Sequence, residues 1–340
     1  MTDANRKPWL TASEQIEHLK SKGVHFSLMN EESAETYLEK NSNYFRLRAY
    51  RLGFPKVDEG VRKGEYVNLD FKMLVDLSIV DMLLRYEMLP LTLDVEHFAK
   101  VRLLKRIEAE NEDGYSVVND FISSYDKRDQ RASTRNSLKD EILRGRTSPY
   151  TSGLIDKYGD FSYPAWAFIE VISFGSFLYF YKFCAERFGD RKMLDEFYLL
   201  QAVKSLRNAC THNNCILNGL RAGKPMYTPR YAVMQELSTI PGIGNDQRKS
   251  KMSNDRIQQI VTTLYAHRNL ASQGVLEHRA SSLLAFTHRM NKHIDYYRGN
   301  LQVYTGFVFL TKVIEAWFPA DIECAKSMAE SNEAFSWSGN

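Results

Sequence analysis

A chain of 340 residues with 44% hydrophobic content is long enough to bury a substantial core, as one large domain or two of ordinary size. Its charged fraction of 26% and formal net charge of +3 exclude a disordered, fibrous or strongly polyionic protein, so overall charge names no partner. Four cysteines without regular spacing form no disulfide framework, and no stretch approaches the ~18 consecutive apolar residues of a membrane span, which points to a reducing cytoplasm.

Apolar residues recur at helical spacing along most of the chain, and no sustained period-two alternation appears, so the expected fold class is all-α. Thr11 and Glu14 form a capping-box pattern for a short first helix, closed by Gly23. Asn30 is placed to cap a second helix running toward Tyr50. Asn68 to Leu89 reads as a strongly apolar helix ended by Pro90, with Asp81 and Arg85 one turn apart, and Leu93 to Glu110 reads as a separate amphipathic helix. Residues 126–152 are polar and suggest an exposed helix and loop with little core. Pro164 suits the first turn of a helix continuing through Trp166, Glu170 and Phe174, and Met193 to Leu206 forms a helix leading into Arg207. Pro225, Pro229 and Pro241 with Gly223, Gly242 and Gly244 make residues 221–250 a loop or linker. Residues 251–320 then read as a further helical region, and residues 328–340 as a disordered tail.

Common catalytic signatures are missing: no phosphate-binding Gly-Lys-Ser/Thr loop, no His-Glu-x-x-His and no Gly-x-Ser-x-Gly. Cys210, His212 and Cys215 provide too few ligands for a structural zinc site, so no metal or other cofactor is expected. The segment Arg207-Asn208-Ala209-Cys210-Thr211-His212 carries more weight. Arg-x4-His arises readily by chance in a chain with 8 histidines, so its surroundings matter more than its spacing. From Phe197 to Gln235 there is no Asp or Glu, where the average density would place about five, while Lys204, Arg207, Arg221, Lys224 and Arg230 are all cationic. Such a local positive field suits a phosphate backbone. On a continuous helix Asn208 and His212 would stand one turn apart, with Arg207 at the edge of their face. Arginine stabilises charge developing on a phosphate, and an imidazole exchanges protons with a ribose 2′-hydroxyl or a leaving oxygen. Arg207, His212 and Asn208 are therefore the candidate catalytic residues, and Lys204, Asn213, Asn214, Arg221 and Lys224 the candidate RNA contacts.

Several blocks in order resemble the abortive-infection proteins of the AbiD/AbiF type, which belong to the HEPN ribonuclease superfamily. Lys7-Pro8-Trp9-Leu10-Thr11 through Gly23 is similar to the family's opening, and Asn43-Tyr44-Phe45-Arg46-Leu47 to its Asn-Tyr-Tyr-Arg-Leu segment. Asp81-Met82-Leu83-Leu84-Arg85 with Ile107-Glu108 resembles its first long helix. Pro164-Ala165-Trp166, Glu170 and Ser173-Phe174-Gly175 resemble a following block, and Arg207-Asn208-x-Cys210-x-His212-Asn213-Asn214 resembles the motif itself. Cys215 departs from the arginine often found there.

The resemblance implies a HEPN-like helical bundle. Its Abi-like region would span residues 7–220 with the core at about 68–220, carrying an N-terminal helical extension and additional C-terminal helices. It further implies a metal-independent endoribonuclease used in phage defence. Because the chain holds a single such motif, a composite site in a homodimer is implied, with RNA as substrate and a small RNA or a protein as antitoxin. A non-catalytic RNA-binding helical scaffold or regulator is the alternative. Glu170 and Arg85 are expected in buried ion pairs, and Trp166 and Phe174 in the core.

Overall fold

A computed structural model describes residues 8–129 and 137–320. The protein is all-α: fifteen α-helices are accompanied among the described residues by one two-stranded parallel pair, β1 (Val24–His25) and β2 (Leu69–Asp70), with Val24 opposite Leu69. The tail expected at residues 328–340 lies outside the described residues, as does Cys324. No described helix is long and apolar enough to cross a membrane.

The chain divides into two compact units. The first comprises residues 1–89, 209–261 and 273–340, and the second residues 90–208 and 262–272. In the first, α1 (Ala12–Lys20) begins with the full Thr11–Glu14 capping box and packs on α2 (Glu31–Lys40), which Asn30 caps through Ser33 N–H. The expected run from Asn30 toward Tyr50 is two helices. Asn41 ends the first, and Asn43 starts α3 (Tyr44–Tyr50) by accepting Arg46 N–H, because an asparagine side chain competes for backbone donors and favours a cap over a helix interior. Asp70 then gathers the N–H groups of Ser27, Leu28 and Lys72 at the start of α4 (Phe71–Ala109). The remainder of this unit is built from α11 (Tyr231–Ser238) packed on α12 (Asn245–Met252), and α14 (Gln273–Asn291) packed on α15 (Leu301–Trp317). Thus one short helix stands within the residue 221–250 stretch that its prolines and glycines marked as loop, and a second begins in it and runs on to Met252.

Pro90 does not end a helix. α4 runs from Phe71 to Ala109 through it, joining the two segments expected to be separate. Proline removes one N–H and crowds the preceding turn, but the apolar stripe continues on both sides, with Leu84, Met88, Leu91, Val95, Ala99 and Leu103 buried. The division between the units falls at this proline, and again within α10 (Arg191–Thr211) and α13 (Asp255–Leu270).

The second unit has an aromatic core in which Phe121, Phe168 and Phe180 meet ring to ring at 5.1–5.9 Å. α5 (Ser116–Asp129) packs on α6 (Leu138–Arg144), α8 (Ala165–Val171) and α9 (Phe174–Arg187), and α7 (Ser152–Lys157) on α8. Leu138 and Ile142 of α6 belong to that core, so the polar stretch contributes more than its composition suggested. The helix expected from Pro164 through Phe174 is also two. Ile172 is extended, and Ser173 accepts Ser176 N–H to cap a new helix, an option that serine chemistry favours over continuing the old one.

Candidate active site

α10 closes with a backbone cap. Ala209 C=O accepts Asn214 N–H at 2.8 Å and Cys210 C=O accepts Asn213 N–H at 3.0 Å, while Asn213 adopts φ +56°. This pair of bonds is the Schellman closure, and asparagine is among the few non-glycine residues that enter the left-handed region readily. His212 is therefore an exposed residue just past the last helical residue, Thr211, and not a member of a continuing helical face with Asn208.

Within the first unit, the residues after His212 are held by a buried ionic cluster. Asp81 is fully buried; its Oδ1 accepts Ile216 N–H and Leu217 N–H, both at 2.7 Å, and its Oδ2 pairs with Arg85 Nη1 and lies 3.8 Å from Arg46 Nη2. Arg85 donates to Asn214 C=O at 3.2 Å, and Arg46 donates to Asn213 C=O at 2.9 Å and to its Oδ1 at 3.3 Å. Arg85 is in a buried ion pair, as expected. Burial, with Arg46 beside it, pulls its guanidinium below the ordinary value. Asn213 and Asn214 are exposed, with these carbonyls turned to the cluster. Burial pushes the Cys210 thiol up to about 11, opposed by Arg85, and Cys184, Cys210 and Cys215 are free thiols.

Arg221 and Lys224 are also exposed and belong to this unit. Their loop is tied to the following helices: Asn254 Nδ2 donates to Arg221 C=O at 2.9 Å, Ser253 Oγ accepts Gly223 N–H, and Asp255 accepts Met226 N–H.

Lys204, Arg207 and Asn208 belong to the second unit, all on α10. Arg207 Nε lies 3.3 Å from Glu96 Oε2, and its guanidinium sits 5.9 Å from the centre of the Phe174 ring. The pairing extends from Glu96 to Lys100 at 4.0 Å and from Lys100 to Glu170 at 3.6 Å. Burial pushes the Glu96 carboxyl up, while Arg207 and Lys100 pull it down. Lys204 Nζ approaches the start of α9, 3.5 Å from where a Cβ on Gly175 would stand. Lys204 and Arg207 thus come together against Phe174 and Gly175. Asn208 is exposed.

Two expectations are corrected here. The Glu170 side chain is 57% exposed, so its ion pair is a surface one, and Trp166 is 56% exposed, touching Tyr115 edge-on at 6.2 Å. Both follow from the shortness of α8, whose buried face is taken by Ala165, Ala167, Phe168 and Ile169. Phe174 is in the core, as expected.

The roles of Arg46 and Glu96 escaped the sequence. Arg46 lay visible in the Asn-Tyr-Phe-Arg-Leu segment without an assigned partner, and Glu96 sits in an amphipathic pattern that marks no carboxylate as special. Among the described residues no three His, Cys, Asp or Glu side chains gather as a metal-ligand group. The second unit holds a cation against an acid and an aromatic ring, and the first carries an exposed imidazole at a capped helix end. A family model described as Abi-like protein matches residues 36–218, more than half of the chain. No curated protein and no solved structure matches it.

Proposed function

The chain belongs to the Abi-like protein family, and from that premise we propose that it acts in abortive infection as a metal-independent endoribonuclease of the HEPN superfamily, AbiD/AbiF type. The observation that carries this reading is the placement of the motif. Arg207 is oriented by Glu96 and Phe174, and His212 is exposed at a helix end fixed by the Asn213–Asn214 cap. In the proposed reaction the ribose 2′-oxygen attacks the adjacent phosphorus. The 2′-O–P bond forms, the P–O5′ bond breaks, and a cyclic phosphate and a 5′-hydroxyl remain. His212 moves the proton, Arg207 stabilises the charge on the phosphoryl oxygens, and Asn208 assists. Lys204, Asn213, Asn214, Arg221 and Lys224 grip the RNA, two copies of the chain form the working site, and a small RNA or a protein partner restrains it in the cytoplasm.

Purified protein incubated with a labelled RNA tests this. Cleavage should leave cyclic phosphate ends, persist in EDTA and fall at least a thousandfold in Arg207→Ala and in His212→Ala. Undiminished cleavage by either variant refutes the assignment.

The Arg207–Glu96 ion pair also supports a second reading, an RNA-binding scaffold, because part of the arginine's charge is already answered. That reading expects salt-sensitive RNA binding that survives His212→Ala, with no turnover by the parent protein.

A further inference from the structure

Apart from the motif, the first unit contains a groove of about 1300 Å³ between the entry to α1, the α3 helix and the loop after it. It exceeds the ~300–1,000 Å³ of an ordinary small-molecule site, which suits a length of chain better than a compact ligand. Aromatic rings line it: Trp9 is 97% and Phe45 79% exposed, and Tyr44 meets His18 edge-on at 6.1 Å. Cations stand between the rings. Arg51 lies 5.5 Å from the centres of both Tyr44 and Tyr66, and Lys56 lies 4.7 Å from that of Tyr66. Lys22 and Arg48 are exposed on the lining.

Arg51 is the decisive residue. It is more than nine-tenths buried, its Nε has no hydrogen-bond acceptor, and it joins no ion pair among the described residues. A buried guanidinium is ordinarily answered by an acid, since removing an uncompensated charge from water is costly. The one carboxylate among the described lining residues, Glu14, is occupied in capping, where Thr11 N–H donates to it at 2.7 Å. The Tyr44 hydroxyl is likewise buried, with no hydrogen-bond partner among the described residues. The groove is thus short of anionic oxygens and supplied with flat rings. Burial, then Lys22, Arg51 and Arg48, also hold the His18 imidazole below its ordinary range.

We propose that this groove binds single-stranded RNA, with bases stacked on Trp9, Tyr44 and Phe45 and phosphates met by Arg51, Arg48 and Lys56. Stacking accepts any base, and the cations follow the backbone, so the grip is not sequence-specific. An apolar peptide would leave the cations unanswered. The inference rests on RNA being the ligand of this protein but not on its being cut.

The test uses the full chain carrying Arg207→Ala and His212→Ala as parent, a labelled uridine 12-mer, and fluorescence anisotropy. Trp9→Ala with Phe45→Ala should raise Kd at least tenfold, and Phe45→Tyr should leave it unchanged. Arg48→Gln with Lys56→Gln should weaken binding and make the log–log salt slope shallower by roughly 1.4, about 0.7 per lost phosphate contact on single strands. An abasic ribose-phosphate 12-mer should bind the parent at least tenfold more weakly than the uridine one. Trp9, Phe45, Arg48 and Lys56 are all exposed, so these variants should fold. Binding unaltered by the groove variants, equal affinity for the abasic strand, or no binding by the parent overturns the proposal. If groove variants lose binding while the unmutated chain cuts no RNA, the nuclease reading fails alone; if cleavage stands and groove variants bind normally, this one fails alone.

Discussion

Asp81 shows how much can depend on one side chain. Its two oxygens receive Ile216 N–H, Leu217 N–H and the Arg85 guanidinium, and they do so with no exposure to water. Asp81→Ala leaves Arg85 as a buried cation without its acid and should destabilise the protein by about 3–5 kcal/mol in urea denaturation. Asp81→Asn keeps an acceptor for the two amides and should cost visibly less. Glu87 gives a prediction in pH. Burial lifts its carboxyl above the ordinary 4.5, against the Ser282 hydroxyl and Arg279, which pull it down. Between the unfolded value and the raised folded one, the folded chain holds a proton that the unfolded chain has released, so stability falls as pH rises through that window. Glu87→Gln removes this loss and can still accept from Ser282, 2.8 Å away. Its melting temperature should exceed the parent's at pH 7, with the advantage gone near pH 4.

At the scale of the element, the informative cases are where helices stop. The Thr11–Glu14 box, Asn30 as a cap and the helical character of residues 251–320 were legible, because a cap is a bond between residues three apart and a stripe repeats locally. The continuation of α4 past Pro90 was not legible, since proline's local preference is outweighed by a stripe buried along both halves. Pro90→Ala restores an N–H inside the helix. It should raise stability in thermal unfolding by less than the ~3 kcal/mol interior penalty of proline, because proline also stiffens the unfolded chain. The breaks at Asn41–Asn43 and Ile172–Ser173 were readable in principle, as Asn43 and Ser173 are good caps, but each sits inside an apolar pattern that suggests continuity. The Asn213 cap was missed for a similar reason: its asparagine was weighed as an RNA contact and not as a helix stop.

For the whole molecule, the division into two units falls inside the motif, with Arg207 and Asn208 in one and His212 in the other. A site assembled from two copies carries its own prediction. Light scattering should give twice the 39.4 kDa chain mass, and specific cleavage should fall on dilution as the dimer dissociates. A monomer with full activity at every concentration would remove the composite site.

Composition, periodicity and capping chemistry were enough to reach an all-α chain, and the ordered sequence blocks were enough to reach its family, because both are written in residue types a few positions apart. The acid-free surroundings of Arg207 to His212 were equally visible. Only the folded chain decides that Glu96 answers Arg207, that Asp81 with Arg46 and Arg85 fastens the segment behind His212, and that Arg51 is buried with no acid beside it among the described residues. Each of these joins groups distant along the chain, and whether a charge is paired or orphaned depends on which surfaces packing removes from water.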